Sequence, residues 1–229
     1  MLQQFLFRKR NSITLSIQDW LFLSVIFSCL LLMARVAETG KFTYAFLLWN
    51  LFLAFVPYGI TQWLSRNVQV IESKWKLAIV LLVWLLFIPN AFYIITDLFH
   101  LEHFDQAPKW FDLLMVFSFA WNGLLLGIIS VRKVQLILNM VSGRILSNLA
   151  VFIVMWLNAF GVYLGRYLRF NSWDIITKPF SLAGEMLEIL FHPLQNKMEW
   201  GMITVYAIFM SLLYITISKL SENFQKANH

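Results

Sequence analysis

Long apolar segments alternate with short polar ones along the whole chain. Six of the apolar segments are about 18 to 23 residues long, which is enough for a helix to cross a hydrocarbon core of about 30 Å. They cover approximately residues 17–35, 42–64, 76–97, 110–131, 146–168 and 201–219. The pattern predicts an all-α, polytopic membrane protein built as a bundle of six transmembrane helices.

The segment before the last span, residues 171–200, is too long to be a simple link. Within it, residues 180–191 place apolar side chains on one helical face and Ser181, Glu185 and Glu188 on another. A helix of about a dozen residues is too short to span a bilayer, so we expect it to lie in the membrane interface. Because no repeat or linker interrupts the chain, residues 1–229 are interpreted as a single transmembrane domain.

The distribution of charge predicts the orientation of the bundle. Of the 18 Lys and Arg residues, 11 lie inside and seven outside if the N-terminus is cytoplasmic, as the positive-inside rule favours. Nine of the 12 acidic residues then lie outside. We therefore predict cytoplasmic N- and C-termini, and we attribute the net charge of +6 to topology and contact with the lipid bilayer, not to nucleic-acid binding.

Polar and titratable residues gather where the third predicted span ends. On an α-helix, Asn90, Tyr93, Asp97 and His100 fall within a sector of roughly 80°, because they are spaced by three, four and three residues. Pro89 precedes them, removes one backbone donor and is expected to bend the helix. Asp97 and His100 are candidate catalytic residues, and Asn90 and Tyr93 are candidate substrate-binding residues. The alternative is a set of hydrated side chains at a helix end.

A second polar cluster follows the fifth predicted span on the same side of the membrane. Arg166 and Arg169 share a helix edge and are followed by Trp173 and Asp174, while Asp112 lies in the first turn of the fourth span. Forked guanidinium donors suit phosphate or carboxylate oxygens, so these residues are candidates for binding an anionic substrate. The alternatives are arginines that reach lipid phosphates and an aspartate that favours a helix N-terminus.

Two G-x-x-x-G motifs, at residues 123–127 and 161–165, predict close packing of helices. They lie at different depths, so we do not expect them to contact each other. Asn122 and Asn158 both lie near the middle of the membrane, where a hydrogen bond between them would serve packing rather than function. The only cysteine, Cys29, excludes an internal disulfide.

Several stretches resemble a bacterial integral-membrane family called domain of unknown function 1361. They are IPNAFYIITDLFHL at 88–101, WFDL at 110–113, FAWNGLLLG at 119–127 and GVYLGRYLRFNSWD at 161–174. The resemblance covers about residues 45 to 220. It implies a multi-pass protein of the bacterial cytoplasmic membrane and no particular activity. The motifs of the family fall on Pro89, Asn90, Tyr93, Thr96, Asp97, His100, Trp110, Asp112, Trp121, Asn122, Gly161, Arg166, Arg169, Asn171, Trp173 and Asp174.

The chemistry of the polar residues stays open between three classes. Asp97, His100 and His103 are suitable ligands for a divalent metal, but on a continuous α-helix they diverge unless the helix ends near His100. An Asp97–His100 pair would instead serve a hydrolase or transferase that works at the outer leaflet. A binding protein or an accessory subunit with a membrane-protein partner needs only the polar pocket.

The function that we predict from the sequence is recognition of an anionic or lipid-linked envelope molecule in an outward-facing pocket. The pocket is built from acidic, histidine and arginine side chains that leave the membrane on one side. These are Asp97, His100, Asp112, Arg166, Arg169 and Asp174.

Overall fold

The computed structural model describes residues 16–102, 107–170 and 174–227. Within these ranges every regular element is helical and there is no strand. In chain order the elements are α1 (Ile17–Thr39), α2 (Phe46–Arg66), α3 (Val68–Glu72), α4 (Lys74–Tyr93), a 3-10 helix (Ile94–Glu102), α5 (Lys109–Ser142), α6 (Arg144–Arg166), α7 (Asp174–Thr177), α8 (Pro179–Phe191) and α9 (Lys197–Ala227). The prediction of an all-α fold is confirmed.

Six of the described helices are long and apolar enough to cross a membrane: α1, α2, α4 with its 3-10 extension, α5, α6 and α9. They match the six predicted spans. The amphipathic segment before the last span forms α8, as predicted, and His192 caps the C-terminal end of this helix. The chain is therefore a multi-pass membrane protein whose surface contacts the lipid bilayer.

The ends of the first span show how local sequence sets a boundary. Ser16 caps α1 through a capping box, in which its hydroxyl accepts from the Asp19 backbone while the Asp19 carboxylate accepts from the Ser16 backbone. At the other end Gly40 adopts a left-handed conformation with φ of 65° and donates to the Val36 carbonyl. The reciprocal bonds satisfy backbone groups that the helix itself leaves unpaired.

Helix α5 forms the centre of the bundle. Of its most apolar window, 67% is buried within the protein, compared with 22% for each of α1 and α9. It packs against α1, α2, α4 and α6. The two terminal spans therefore present most of their apolar surface to lipid, whereas α5 exchanges lipid contacts for protein contacts along most of its length.

Both G-x-x-x-G motifs pack against α4, which lies between α5 and α6. A Cβ atom at Gly161 would lie 2.8 Å from two ring carbons of Pro89, and one at Gly123 would collide with Ile94. Glycine at these two positions lets the helices approach closely, so the prediction of close helix packing is confirmed. The end of the third span is thus wedged between its two neighbours.

Buried polar side chains link the spans in the interior. Trp84 donates to Ser130 at 2.8 Å, and the Ser130 hydroxyl donates to the Pro57 carbonyl at 3.0 Å, which joins α4, α5 and α2. Asn122 donates to Ser28 at 2.9 Å. Asn122 and Asn158 do not form the hydrogen bond considered from the sequence, because both side-chain polar atoms of the fully buried Asn158 lack a partner among the described residues. The Asn122 amide donates to the Ser28 hydroxyl on α1 instead.

Candidate functional site

The polar stripe at the end of α4 changes helical form in its middle. Helix α4 ends at Tyr93 and a 3-10 helix continues through Glu102. A 3-10 helix has three residues per turn, so Asp97 and His100 lie along one edge, while Asn90 belongs to the preceding α-helical turn. The prediction of one continuous α-helical stripe is therefore wrong, and its residues divide into two groups with different neighbours.

Asp97 is buried against α2. Asp97 is only 1% exposed, and its Oδ2 accepts a hydrogen bond from Asn50 Nδ2 at 2.7 Å. The short bond joins a carboxylate to a neutral amide donor. Asn50 therefore fixes Asp97 in the interior at the end of the bundle where α1 ends and α2 begins.

His100 faces α6 and contacts the first arginine of the second cluster. Its Nε2 lies 3.0 Å from Arg166 Nη1, and because a guanidinium group only donates, Nε2 is the acceptor. The imidazole also packs against the Phe46 ring, with centroids 5.0 Å apart. The guanidinium of Arg166 lies over the Phe99 ring at 5.3 Å. The two predicted clusters thus meet at this bond.

Asp112 is engaged by a residue that the sequence did not single out. Arg35, at the end of α1, donates from Nε to Asp112 Oδ1 at 2.7 Å and from Nη2 to Oδ2 at 3.2 Å. Its Nη1 donates to Thr43 at 2.8 Å, and its guanidinium carbon lies 4.4 Å from the Tyr44 ring centre. The pair is buried, with side chains 0% and 3% exposed. Asp112 is thereby committed to a forked ion pair that ties α1 to α5.

Tyr44 connects this ion pair to the 3-10 helix. Its hydroxyl donates to the His100 carbonyl at 3.4 Å. Burial, reinforced by the negative charge of Asp112, raises the pKa of Tyr44 to about 12. The side chain therefore stays a neutral donor throughout the physiological pH range. One signal in the sequence could have revealed the role of Arg35. It is a charged residue in the last turns of an apolar first span, on the same side of the membrane as Asp112.

The connection after α6 holds the remaining candidates. Arg169 is exposed and adopts a left-handed backbone with φ of 60°, and the next amide, that of Phe170, donates back to the Leu164 carbonyl at 3.1 Å. Asp174 is 6% exposed and accepts from Thr177 at 2.8 Å at the start of α7. Trp173 lies outside the described residues, as does His103, the third predicted metal ligand.

The described part of the chain contains no group of three or more histidine, cysteine or acidic side chains placed to hold a metal ion. Asp97 and His100 supply two ligand types on one edge of the 3-10 helix. Their described side-chain bonds run to different neighbours, Asn50 and Arg166. The predicted metal ligation by these residues together with His103 stays a prediction.

A groove of about 330 Å³ opens beside the polar residues, between α2, α4, α6 and α8. Its polar lining residues are Asn50, Asn90 and Tyr93, and the rest are apolar apart from two glycines. The glycines are Gly161 and Gly165, whose missing side chains keep the wall of α6 flat. We call this cavity the lateral groove. Its lining comprises Trp49, Asn50, Leu53, Leu85, Leu86, Pro89, Asn90, Tyr93, Leu157, Phe160, Gly161, Leu164, Gly165, Phe170, Ile175, Leu182 and Met186.

The mouth of the lateral groove opens on the outer surface of the bundle between exposed apolar side chains. Trp49, Leu86, Leu157 and Ile175 line it and are between 40% and 51% exposed, although all four are large apolar residues. Helix α8 covers one end through Leu182 and Met186. An apolar chain could enter from the bilayer without crossing water.

The structure therefore brings some of the predicted site residues together and separates others. Asn90 and Tyr93 line the lateral groove, and Asn50 lines it while donating to Asp97. His100 and Arg166 contact each other, and Arg166 directly follows the groove residue Gly165. Asp112 belongs to the ion pair with Arg35. The sequence did not reveal the groove itself, because its walls are ordinary apolar residues that come together only when the helices pack.

Comparisons with known proteins give one family. A family model described as "Protein of unknown function (DUF1361)" matches residues 49–213. Searches of curated proteins and of solved structures give no match. The matched segment includes the groove-lining helices α4 and α6 and the central helix α5. It covers well over half of the 229 residues, and the chain therefore belongs to the DUF1361 family.

Proposed function

We propose that the protein binds an anionic, lipid-linked molecule of the cell envelope, with its apolar chain in the lateral groove and its anionic group at Arg166 and Arg169. The observation that carries the proposal is the groove itself, which combines a lipid-facing apolar mouth with polar side chains from α2 and α4. Ligand sites are typically apolar cavities with a few convergent polar groups.

The two arginines have the charge that such a ligand requires. Among the described residues, Arg166 has a histidine neighbour and an aromatic ring but no ion pair, and Arg169 has no ion pair either. Arg166 follows Gly165 in the chain and Arg169 precedes Phe170, and both of these neighbours line the groove. An oxyanion near them would gain charge-assisted hydrogen bonds.

The backbone at Arg169 gives independent support. A non-glycine residue with φ of 60° costs on the order of 1–3 kcal/mol when its surroundings hold it there, and such residues cluster at functional sites. Glycine would adopt this conformation without strain. An arginine at this turn is explained if its guanidinium is needed near the end of the groove.

Under the predicted orientation the groove opens into the outer leaflet, since the ends of α1 and α6 and the start of α2 then lie outside. A bacterial cytoplasmic membrane would supply lipid-linked envelope molecules there. Helix α8, which covers one end of the groove, would lie at the membrane surface, where an amphipathic helix is stable.

Photolabelling in liposomes tests the proposal. Phosphatidylglycerol and phosphatidylcholine, each with a diazirine in one acyl chain, are compared for labelling of groove-lining peptides. We expect stronger labelling by the anionic lipid, and loss of it in Leu157→Trp, which fills the groove. The matched control is Leu149→Trp, which alters another exposed leucine of the same helix outside the groove. Equal labelling of both variants, or by both lipids, would overturn the proposal.

A second candidate, a hydrolase or transferase acting on the bound molecule, is favoured by one observation. Asp97 and His100 lie one turn apart along the same edge of the 3-10 helix, and Asn50, which bonds Asp97, lines the groove, so an acid and a base stand close to the bound molecule. If the protein turns its ligand over, Asp97→Asn should abolish turnover while photolabelling of the groove persists. Unchanged turnover in that variant would exclude Asp97 from the chemistry.

A further inference from the structure

A second cavity lies at the other end of the bundle, between α5, α6 and α9. It has a volume of about 520 Å³, larger than the lateral groove. Arg132, Arg144 and Lys219 line it, together with a single acidic residue, Glu222. We call it the basic cavity. No residue of the basic cavity lines the lateral groove, so its role is separate from the proposed function.

We propose that the basic cavity binds the headgroup of an anionic phospholipid, with one acyl chain of that lipid along α6 and α9. The excess of positive charge is the first argument. Glu222 pairs with Arg132 at 2.8 Å and with Lys219 at 3.3 Å, so one carboxylate serves two cations. Arg144 has no ion pair among the described residues.

A network of hydrogen-bonded polar side chains lines the basic cavity. Arg132 donates to Gln135 at 3.0 Å, the Tyr214 hydroxyl also donates to Gln135, and Gln135 donates to Asn148 at 2.9 Å. The bonds join all three helices and hold Arg132 in place. A phosphate bound there would meet an arginine that has already lost much of its conformational freedom.

The side chains of α6 that line the cavity change from polar to apolar along the helix, as an amphiphilic ligand requires. Arg144, Ser147 and Asn148 line the cavity near the start of the helix, and Val151, Phe152 and Met155 line it further along. At 1.5 Å per residue the apolar part begins about 10 Å from Arg144. The charged headgroup of a lipid would contact the polar part, and the start of its acyl chain would contact the apolar part.

The apolar wall is open to lipid, which favours a phospholipid over a free anion. Leu136, Phe152 and Ile215, one from each helix, line the cavity and are 49%, 55% and 52% exposed. A lipid already in the bilayer reaches the cavity by lateral diffusion. Under the predicted orientation this is the cytoplasmic leaflet, where basic pockets between spans bind anionic headgroups.

Native mass spectrometry of the detergent-solubilised protein tests this proposal. Phosphatidylglycerol and phosphatidylcholine are titrated separately, and inorganic phosphate is added as a competitor. We expect saturable phosphatidylglycerol adducts, weaker phosphatidylcholine adducts and little displacement by phosphate. Arg144→Gln should weaken phosphatidylglycerol binding about fivefold, the effect of removing one charge near an anionic lipid. Arg144 is exposed and carries no ion pair, so the variant should fold normally.

The matched control is Arg66→Gln, which removes an exposed arginine at the same end of the bundle but outside the cavity. It should leave the adducts unchanged. Equal losses in the two variants would show general surface attraction and overturn the proposal. Equal binding of the two lipids, or full displacement by phosphate, would also overturn it. Photolabelling of the lateral groove reports the proposed function separately, because Leu157 is not in this cavity.

Discussion

At the scale of single residues, the acidic side chains of the candidate site are held in different ways. Asp112 lies in a buried ion pair with Arg35, whereas Asp97 accepts from the neutral amide of Asn50. The sequence offered two roles for Asp112, at a helix start and in a pocket. The structure shows a third, because an arginine on another helix reaches the same place. A contact between residues 77 positions apart cannot be read from local spacing.

Breaking the Arg35–Asp112 pair should destabilise the protein strongly. Arg35→Met leaves a buried carboxylate without its partner, which costs about 3–5 kcal/mol, and we expect the same of Asp112→Leu alone. The double variant should recover most of the loss. Thermal unfolding in detergent measures the change.

The control for that experiment is Glu222→Gln. Glu222 forms an ion pair with Arg132 in which both side chains are about one third exposed. Such a pair contributes about 0–1 kcal/mol, so the midpoint should move little. If Arg35→Met is as mild as Glu222→Gln, the buried pair does not hold α1 against α5.

The bond between Asn50 and Asp97 gives a second prediction. Asp97→Asn keeps an acceptor oxygen for Asn50 and should leave the fold intact, whereas Asp97→Ala leaves the Asn50 amide unpaired and costs about 1–3 kcal/mol. A double-mutant cycle with Asn50→Ala measures the coupling by thermal unfolding. Additive losses would mean that the 2.7 Å bond contributes nothing measurable.

At the scale of helices, α4 is the element on which the site depends. It packs against glycines of both α5 and α6, lines the lateral groove and continues into the 3-10 helix that bears Asp97 and His100. The sequence predicted the close packing but not the change to a 3-10 helix. Helical periodicity reports which residues are apolar, and it does not distinguish 3.6 from 3.0 residues per turn over a segment this short.

Gly161→Leu should therefore destabilise the bundle. A side chain there meets Pro89 at 2.8 Å, and overpacking of this kind costs about 1–3 kcal/mol. Gly201→Leu on α9 is the control, because a Cβ at that position has nothing within 4 Å and should be tolerated. The measurement is the fraction that stays monodisperse on size-exclusion after heating. Similar losses in both variants would contradict the packing of α4 against α6.

At the scale of the whole molecule, composition and periodicity were enough for the fold class and the six spans. Every predicted span lies within a described helix or overlaps most of one, because the need to satisfy backbone groups in lipid leaves few alternatives to a helix. The site was only partly predictable. Asn90 and Tyr93 do line a groove, but the cavities form between helices whose pairing the sequence did not reveal.

The orientation of the bundle is a prediction at the same scale. In a protein whose Cys29 is replaced by serine, a cysteine introduced by Lys41→Cys should react with a membrane-impermeant maleimide in intact cells. One introduced by Glu72→Cys should react only after the cells are permeabilised, because positions 41 and 72 lie at opposite ends of the spans. The reverse labelling would place the lateral groove in the cytoplasmic leaflet.

The most direct test of ligand binding is a cryo-electron microscopy structure in nanodiscs that contain anionic lipid, with a bound antibody fragment to add mass. The proposal predicts continuous elongated density in the lateral groove between Leu157 and Leu86, ending within hydrogen-bond distance of Arg166 or Arg169. A groove that is empty, or that is closed by Leu182 and Met186 packed against α4, would contradict it.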